Sequence, residues 1–239
     1  MRILITNDDS ISAEQLIPFV RWCQKLGEVT VVVPKYEQSG KSHSIELHKA
    51  FEAKTVTVED IEITTVDSSP ADCVRFAVMG IKKQFDLIIS GINKGLNMGV
   101  DIMYSGTAGA VFEAAALGIP AIAVSISPKN YPRAIEPLDS VLAYFQTHKL
   151  LEKCSIYNVN MVPDAKGIRI TRQGGPFYSD DFVPQGNDMY LPTGKMVYEN
   201  QHDLTLDSDC VMSGYISIMP LSISRADMVV YDELKTLND

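Results

Sequence analysis

The chain has 239 residues, 46% hydrophobic and 21% charged, with a formal net charge of −9. That is the composition of an ordinary globular protein, long enough to bury about 70% of its unfolded surface. The acidic balance argues against gripping a nucleic-acid duplex through Lys and Arg, and no apolar run reaches the roughly 18 residues of a membrane span.

Arg2 to Thr6 is a continuous apolar run with β-branched residues, which predicts a buried strand. Ser12 through Leu26 then places Leu16, Phe19, Val20, Cys23 and Leu26 at helical spacing, with Gly27 as a C-cap glycine. Val29 to Val33 is a second buried run stopped by Pro34. The opening is therefore a βαβ unit, which implies a parallel sheet. Thr55 to Val58 and Ile61 to Val66 flank Glu59-Asp60 as a hairpin does, and Ser69-Pro70 opens a short helix through Met79.

Asp86 to Ser90 predicts a third buried strand, followed by a Gly/Asn-rich loop from Gly91 to Asp101 and a helix from about Thr107 to Leu117. A strand over Ala121 to Ser125, a helix over about Pro132 to Thr147 and strands at Ile156 to Asn160 and Ile168 to Thr171 follow. Residues 174–200 are aromatic, alternating and punctuated by Gly and Pro, which predicts a projecting β-hairpin serving as an oligomerisation arm. Asp207 to Met212 reads as a short helix, Tyr215 to Met219 as a strand, and about 222–239 as a C-terminal tail. Together, 1–239 reads as a single α/β domain, a doubly wound, mostly parallel sheet with its ligand site at the carboxyl ends of the strands. Cys23, Cys73, Cys154 and Cys210 are far apart and form no CxxC, which predicts reduced core thiols; the start MRILITNDDS lacks a secretory signal. Both point to the cytoplasm.

Asp8 and Asp9 stand just past the first strand, where such a fold places its ligand. Their carboxylates can face one ion only if the chain is already turning at residue 9. Oxygen donors of this kind suit Mg²⁺, Mn²⁺ or Ca²⁺, while the competing reading makes Asp9 or Ser10 an N-cap for the following helix. Ser39, in the polar loop after the second strand, offers a neutral oxygen. In Ser90 to Gly99, Asn93 and Asn97 offer carbonyls to a metal and NH₂ groups to phosphate, and the glycines allow close backbone approach. Ser105-Gly106-Thr107 opens an alanine-rich helix, whose exposed N–H groups suit an anion. Neither a Walker A loop, a GxGxxG fingerprint nor GxSxG is present, and His43, His48, His148 and His202 lack zinc-ligand spacing.

The words ILITNDDS, QSG at 38–40, SGINKGLNMG at 90–99, YSGTAGA at 104–110 and GYISIMPL at 214–221 together resemble the SurE family, the survival-protein-E nucleotidases. The resemblance implies a Rossmann-like fold with an exchanged C-terminal arm, and a homodimer or homotetramer. It implies a metal-dependent phosphohydrolase acting on nucleoside 5′- and 3′-monophosphates, with polyphosphate as a further substrate of some members. One divalent ion per subunit, Mg²⁺ or Mn²⁺, would be held by Asp8, Asp9, Ser39 and Asn93, with the two aspartates catalytic. Asn97, Ser105, Gly106 and Thr107 would hold the phosphate while a metal-bound water attacks in line. Leu206-Asp207 stands where the family usually has Thr-Asp, Met219 replaces a usual Thr, and 174–199 lacks the family's aromatic wording, which bears on base selectivity and oligomer contacts.

Two other functions fit part of the pattern. A phospho-acceptor receiver domain also begins with an acidic pair but needs an aspartate at the end of its third strand, where this chain has Ser90-Gly91. A sugar-nucleotide-dependent transferase would keep the metal and transfer a glycosyl group instead.

Overall fold

The computed structural model describes residues 1–237. The amino-terminal half runs β1 (Arg2–Thr6), α1 (Leu16–Gln24), β2 (Glu28–Pro34), β3 (Ala53–Val58), β4 (Ile61–Val66), α2 (Pro70–Arg75), β5 (Leu87–Lys94) and α3 (Gly106–Ala116). There follow β6 (Ala121–Ile126), α4 (Leu138–His148), α5 (Leu150–Lys153), β7 (Ile156–Met161), β8 (Ile168–Ile170), β9 (Tyr178–Gly186), β10 (Met189–Met196), α6 (Asp207–Met212), β11 (Ile216–Pro220) and α7 (Met228–Leu234).

Nine strands form one sheet in the order β3-β4-β2-β1-β5-β6-β7-β11-β8. The run from β4 to β7 is parallel throughout, β3 closes one edge antiparallel to β4, and β11 enters antiparallel to β7. Successive side chains alternate between faces, so each parallel strand feeds two cores. Ile3, Ile5, Val31, Val33 and Ile89 pack with Phe19 and Trp22 of α1 and Val141 and Phe145 of α4. Leu4, Val32, Ile88 and Ala123 pack on the opposite face with Cys73 and Val74 of α2 and Ala110, Val111 and Ala114 of α3. The Trp22 indole N–H donates to Asp139 Oδ1 at 2.8 Å, satisfying its polar edge between α1 and α4.

Several boundaries differ from expectation for identifiable reasons. Helix α1 begins at Leu16 rather than Ser12, which makes Pro18 its third residue, where an amide N–H has no intrahelical acceptor. Gly27 is not a left-handed cap: the C-cap is Lys25 in the right-handed region, and a Cβ on Gly27 would collide with the Met1 carbonyl oxygen. The helix expected through Met79 leaves α geometry at Arg75 for a π-turn over Phe76–Gly80. The helix expected from Pro132 is a 3₁₀ turn, Pro128–Arg133, followed by α4 with Pro137 as its N-cap.

The segment from Gly91 is not a loop throughout, because β5 runs on to Lys94, pairing Asn93 with Ser125 across an irregularity after Ser90. As expected, 174–200 contains an antiparallel hairpin, β9 and β10, whose two strands form a sheet of their own. The expected tail contains α7; residues 238–239 of it lie outside the described residues. No two cysteines are bonded to each other, and three of the four are buried, Cys154 being half-buried. Among the described residues, no helix is long and apolar enough to cross a membrane.

Candidate active site at the carboxyl edge of the sheet

The chain turns immediately after β1, as a shared site for two adjacent aspartates requires. The Asn7 side-chain NH₂ donates to the Ser10 carbonyl at 2.9 Å, and Ser10 adopts the left-handed region at φ 69°. Asp8 is buried and Asp9 half-buried. Neither they nor Ser10 cap α1, whose N-cap is Gln15 without a side-chain bond.

Asp8 Oδ1 accepts from the Thr107 hydroxyl at 2.7 Å. Burial pushes the Asp8 carboxyl up to about 6, an effect opposed by the Thr107 bond and reinforced by the charge of Asp9. Asp9 Oδ2 accepts from the Lys94 N–H at 2.8 Å, and burial raises its pKa as well. Lys94 directs its ammonium toward Glu14, at 4.0 Å, and over the Tyr131 ring, leaving both aspartates outside any ion pair among the described residues.

The loop carrying Ser39 is pinned here by the Gln38 N–H, which donates to the Asp8 carbonyl at 2.8 Å. Ser39 is exposed and its hydroxyl donates to Glu37 at 2.7 Å. Farther along, the loop lies directly on α3: a Cβ on Gly109 would collide with the Ser42 carbonyl oxygen, so only glycine permits that approach. His43 Nε2 meets Glu113 Oε2 at 2.7 Å one turn on, fastening the loop to the same helix. Ser105 caps α3 by accepting from the Ala108 N–H at 3.1 Å, and Gly106 is the helix's first residue. Thus Ser105 and Thr107, read from the sequence as phosphate-holding hydroxyls, also make internal bonds, Thr107 to the paired-aspartate turn itself.

Asn93 donates its NH₂ to the Gly95 carbonyl at 2.9 Å, which leaves Oδ1 as an acceptor without a donor among the described residues. Asn97 donates its side-chain NH₂ to Ser125 Oγ at 2.8 Å. Hydrogen bonds thus join Asp8 to Thr107, Asp9 to the Lys94 N–H next to Asn93, and the Asp8 carbonyl to the Gln38 N–H next to Ser39, while the Ser39 and Asn93 side chains themselves bond Glu37 and the Gly95 carbonyl and Asn97 reaches across to β6. Among the described residues there is no group of three or more His, Cys, Asp or Glu arranged to hold a metal, so any cation here depends on two carboxylates plus neutral oxygens. Asp86, by contrast, lies at the opposite end of β5, paired with Arg2 at 2.6 Å, and the receiver reading has no acceptor at this edge.

Sequence reasoning passed over several residues that build this edge. Asn158 and Asn160 on β7 are fully buried and bond the Asn97 backbone. The signal was available: in IYNVNM, two asparagines alternate with Tyr157, Val159 and Met161 inside a strand, where asparagine is disfavoured. Asp207, also fully buried, accepts the N–H groups of Gly99, Gly174 and Ser208, each at 2.8 Å, and so joins the end of the Asn-rich segment to the chain leading into the hairpin. Desolvation raises its pKa against those bonds.

The family described as survival protein SurE matches residues 3–180 of this chain. The chain belongs to the SurE family. A SurE relative from Thermoanaerobacter sp. (strain X514), named 5′-nucleotidase SurE, is 37% identical, with 100% of this chain and 97% of the relative covered. One of the same name from Thermosipho melanesiensis is 35% identical, with 93% and 92% covered. The crystal structure of the SurE protein from Aquifex aeolicus matches with a TM-score of 0.78 and 29% identity over 100% of both chains.

Proposed function

We propose that this SurE chain is a 5′-nucleotidase, a phosphoric monoester hydrolase that releases inorganic phosphate from nucleoside 5′-monophosphates with the help of one divalent cation. The observation that carries the reading is the pair of unpaired carboxylates, Asp8 and Asp9, set against the start of α3 at the carboxyl edge of the sheet. Whole-chain similarity to relatives named 5′-nucleotidase supports the same reading.

The donor set fits a hard cation such as Mg²⁺ or Mn²⁺: two carboxylates raised in pKa chiefly by burial, with the charge of Asp9 adding to the rise at Asp8 and that of Glu37 to the rise at Asp9, together with the Asn93 carbonyl oxygen and the Ser39 hydroxyl. Such an ion, when bound, supplies Lewis-acid polarisation of the phosphoryl group and lowers the pKa of water. The chain's own residues do the rest. Thr107 holds the Asp8 carboxylate in one orientation, the Lys94 N–H does so for Asp9, and one of the two carboxylates accepts the proton of the attacking water. Asn97 and the N–H groups at the start of α3 stabilise charge on the equatorial phosphate oxygens.

The same proposal extends to nucleoside 3′-monophosphates and polyphosphate, which also present a terminal phosphoryl group, with an alcohol leaving from the first and a shortened polyphosphate chain from the second. We further assign the β9-β10 hairpin to self-association into a dimer or tetramer, because Phe182, Tyr190 and Met189 are 64%, 61% and 65% exposed on it. Exchange of the C-terminal segment between protomers belongs to this proposal. Unpaired thiols suit the cytoplasm, and the net charge of −9 disfavours nucleic-acid duplexes as partners.

Phosphate release from 5′-AMP, 3′-AMP, polyphosphate and an aryl phosphate, with Mn²⁺ or Mg²⁺ and with excess chelator, tests the reading. Cation-dependent release that is lost in Asp8→Asn supports it. Full release in chelator, or full activity in Asp8→Asn, overturns the cation site; glycosyl transfer without phosphate release overturns the hydrolase.

A further inference from the structure

Four hydrogen bonds converge on Asn97 from two neighbouring strands. Its backbone N–H donates to Asn160 Oδ1 at 2.9 Å, and its carbonyl accepts from Asn160 Nδ2 and Asn158 Nδ2, each at 2.8 Å. Its side-chain Nδ2 donates to Ser125 Oγ at 2.8 Å. Ser125, Asn158 and Asn160 are all fully buried, and Ser125 and Asn160 lie on the same rung of the sheet. Asn160 therefore grips both backbone polar groups of Asn97, as a partner strand would, although residues 95–98 belong to no strand.

This arrangement is costly for the fold. Asparagine is disfavoured inside a strand, and Asn158 Oδ1 is buried without a hydrogen-bond partner, so its desolvation is uncompensated. A sheet selected for stability alone would carry apolar side chains at these two positions, as it does at Tyr157 and Val159. What the asparagines supply instead is a fixed backbone at Asn97, from which its side-chain amide reaches Ser125. One of its two N–H groups is committed to Ser125, which orients the other.

We propose that Asn158 and Asn160 on β7, with Ser125 on β6, are positioning residues that hold the Asn97 side-chain amide in place to donate to a substrate phosphate oxygen. The inference rests on the reading above, in which Asn97 meets the phosphate. Ordering residues 95–98 in advance removes an entropy cost from the transition state, so the benefit falls chiefly on kcat.

The test is a double-mutant cycle in the full-length protein, measuring 5′-AMP hydrolysis with Mn²⁺. Asn158→Leu is nearly isosteric, removing both the donor to Asn97 and the unpartnered acceptor. Its melting temperature is expected to equal or exceed that of the wild type, while kcat falls about 10- to 100-fold with KM little changed. In the Asn97→Ala background, the same substitution should cost no further activity. Ser125→Ala, which removes a single hydroxyl, gives a second cycle with the same expected outcome if Asn158→Leu does not fold. Undiminished kcat in Asn158→Leu and Ser125→Ala, or an equal fold-loss in both backgrounds as a merely structural role would give, overturns the positioning role. Undiminished activity in Asn97→Ala overturns the phosphate-binding reading of Asn97 itself, a result the other arms cannot produce.

Discussion

The Thr107 hydroxyl donates to Asp8 Oδ1 at 2.7 Å, across the gap between the end of β1 and the first turn of α3. The bond favours the ionised carboxylate and works against burial, which favours the neutral acid. Thr107→Val keeps the shape and removes the donor, so the Asp8 pKa should rise. The acid limb of the pH profile of kcat/KM for 5′-AMP should move to higher pH, with activity at neutral pH reduced. An unmoved acid limb would detach Thr107 from the ionisation of Asp8.

Stability should carry the same signature with a definite sign. The folded pKa of Asp8, about 6, lies above the 3.8 of an unperturbed aspartate, so between these pH values the unfolded chain releases a proton that the fold retains. Below pH 3.8 the group costs nothing; as pH rises through 6 the cation-free fold loses about 3 kcal/mol to it, from the shift in pKa. Asp8→Asn should therefore be more stable than the wild type at pH 7 without divalent cations, by up to that amount, and no more stable well below pH 3.8. Adding Mn²⁺ should raise the melting temperature of the wild type and leave that of Asp8→Asn nearly unchanged. Denaturant melts of both proteins across this range, with and without cation, provide the check.

At Gly109, the loop of Ser39 lies on α3 with no room for a methyl group between them. Gly109→Ala forces a Cβ into the Ser42 carbonyl oxygen, and the loop must lift or the helix must shift. A loss of about 1–3 kcal/mol is expected, together with impaired hydrolysis because the loop bears a proposed cation ligand. Thermal melts and 5′-AMP kinetics report the two effects separately; wild-type values for both would contradict the contact.

Asp207 accepts three backbone N–H groups with one carboxylate. Asp207→Asn points an NH₂ at donors that need an acceptor. A loss of about 1–3 kcal/mol is expected, with faster amide exchange at Gly99 and Gly174 than elsewhere. Uniform exchange throughout the chain would argue that the clamp is not local.

On the hairpin, Phe182 and Tyr190 expose large aromatic surface. Replacing both with Ser should lower the assembly mass measured by light scattering while leaving the monomer's secondary structure unchanged. An unaltered mass would overturn the proposed role of the hairpin in self-association.

The alternating pattern of apolar runs and helical periodicity made the parallel sheet and its carboxyl edge legible, because strands buried on both faces leave little freedom of composition. Asp8 and Asp9 were legible for the same reason, being charges at the end of such a strand. Local rules misplaced what distant partners decide. Gly91 to Lys94 reads as loop from its glycines, yet Ser125 on β6 provides the pairing that extends β5 through Asn93. Gly27 reads as a cap, yet its lack of a side chain answers to Met1, at the far end of the βαβ unit. Asn158 and Asn160 were passed over because their neighbours alone mark a strand, and their partner, Asn97, lies some sixty positions earlier in the chain.

Trp22 is the protein's single tryptophan, and it sits between α1 and α4 near the end of α1 that returns toward Met1. Its indole N–H bonds Asp139 and its ring stacks on Phe19, with no hydrogen bond to a proposed site residue among the described residues, so its emission is a built-in optical probe of the apolar core. Nucleotides, phosphate and divalent ions can be titrated at the carboxyl edge without quenching it by contact, so one fluorophore reads the integrity of the core while catalysis is followed independently in the same cuvette.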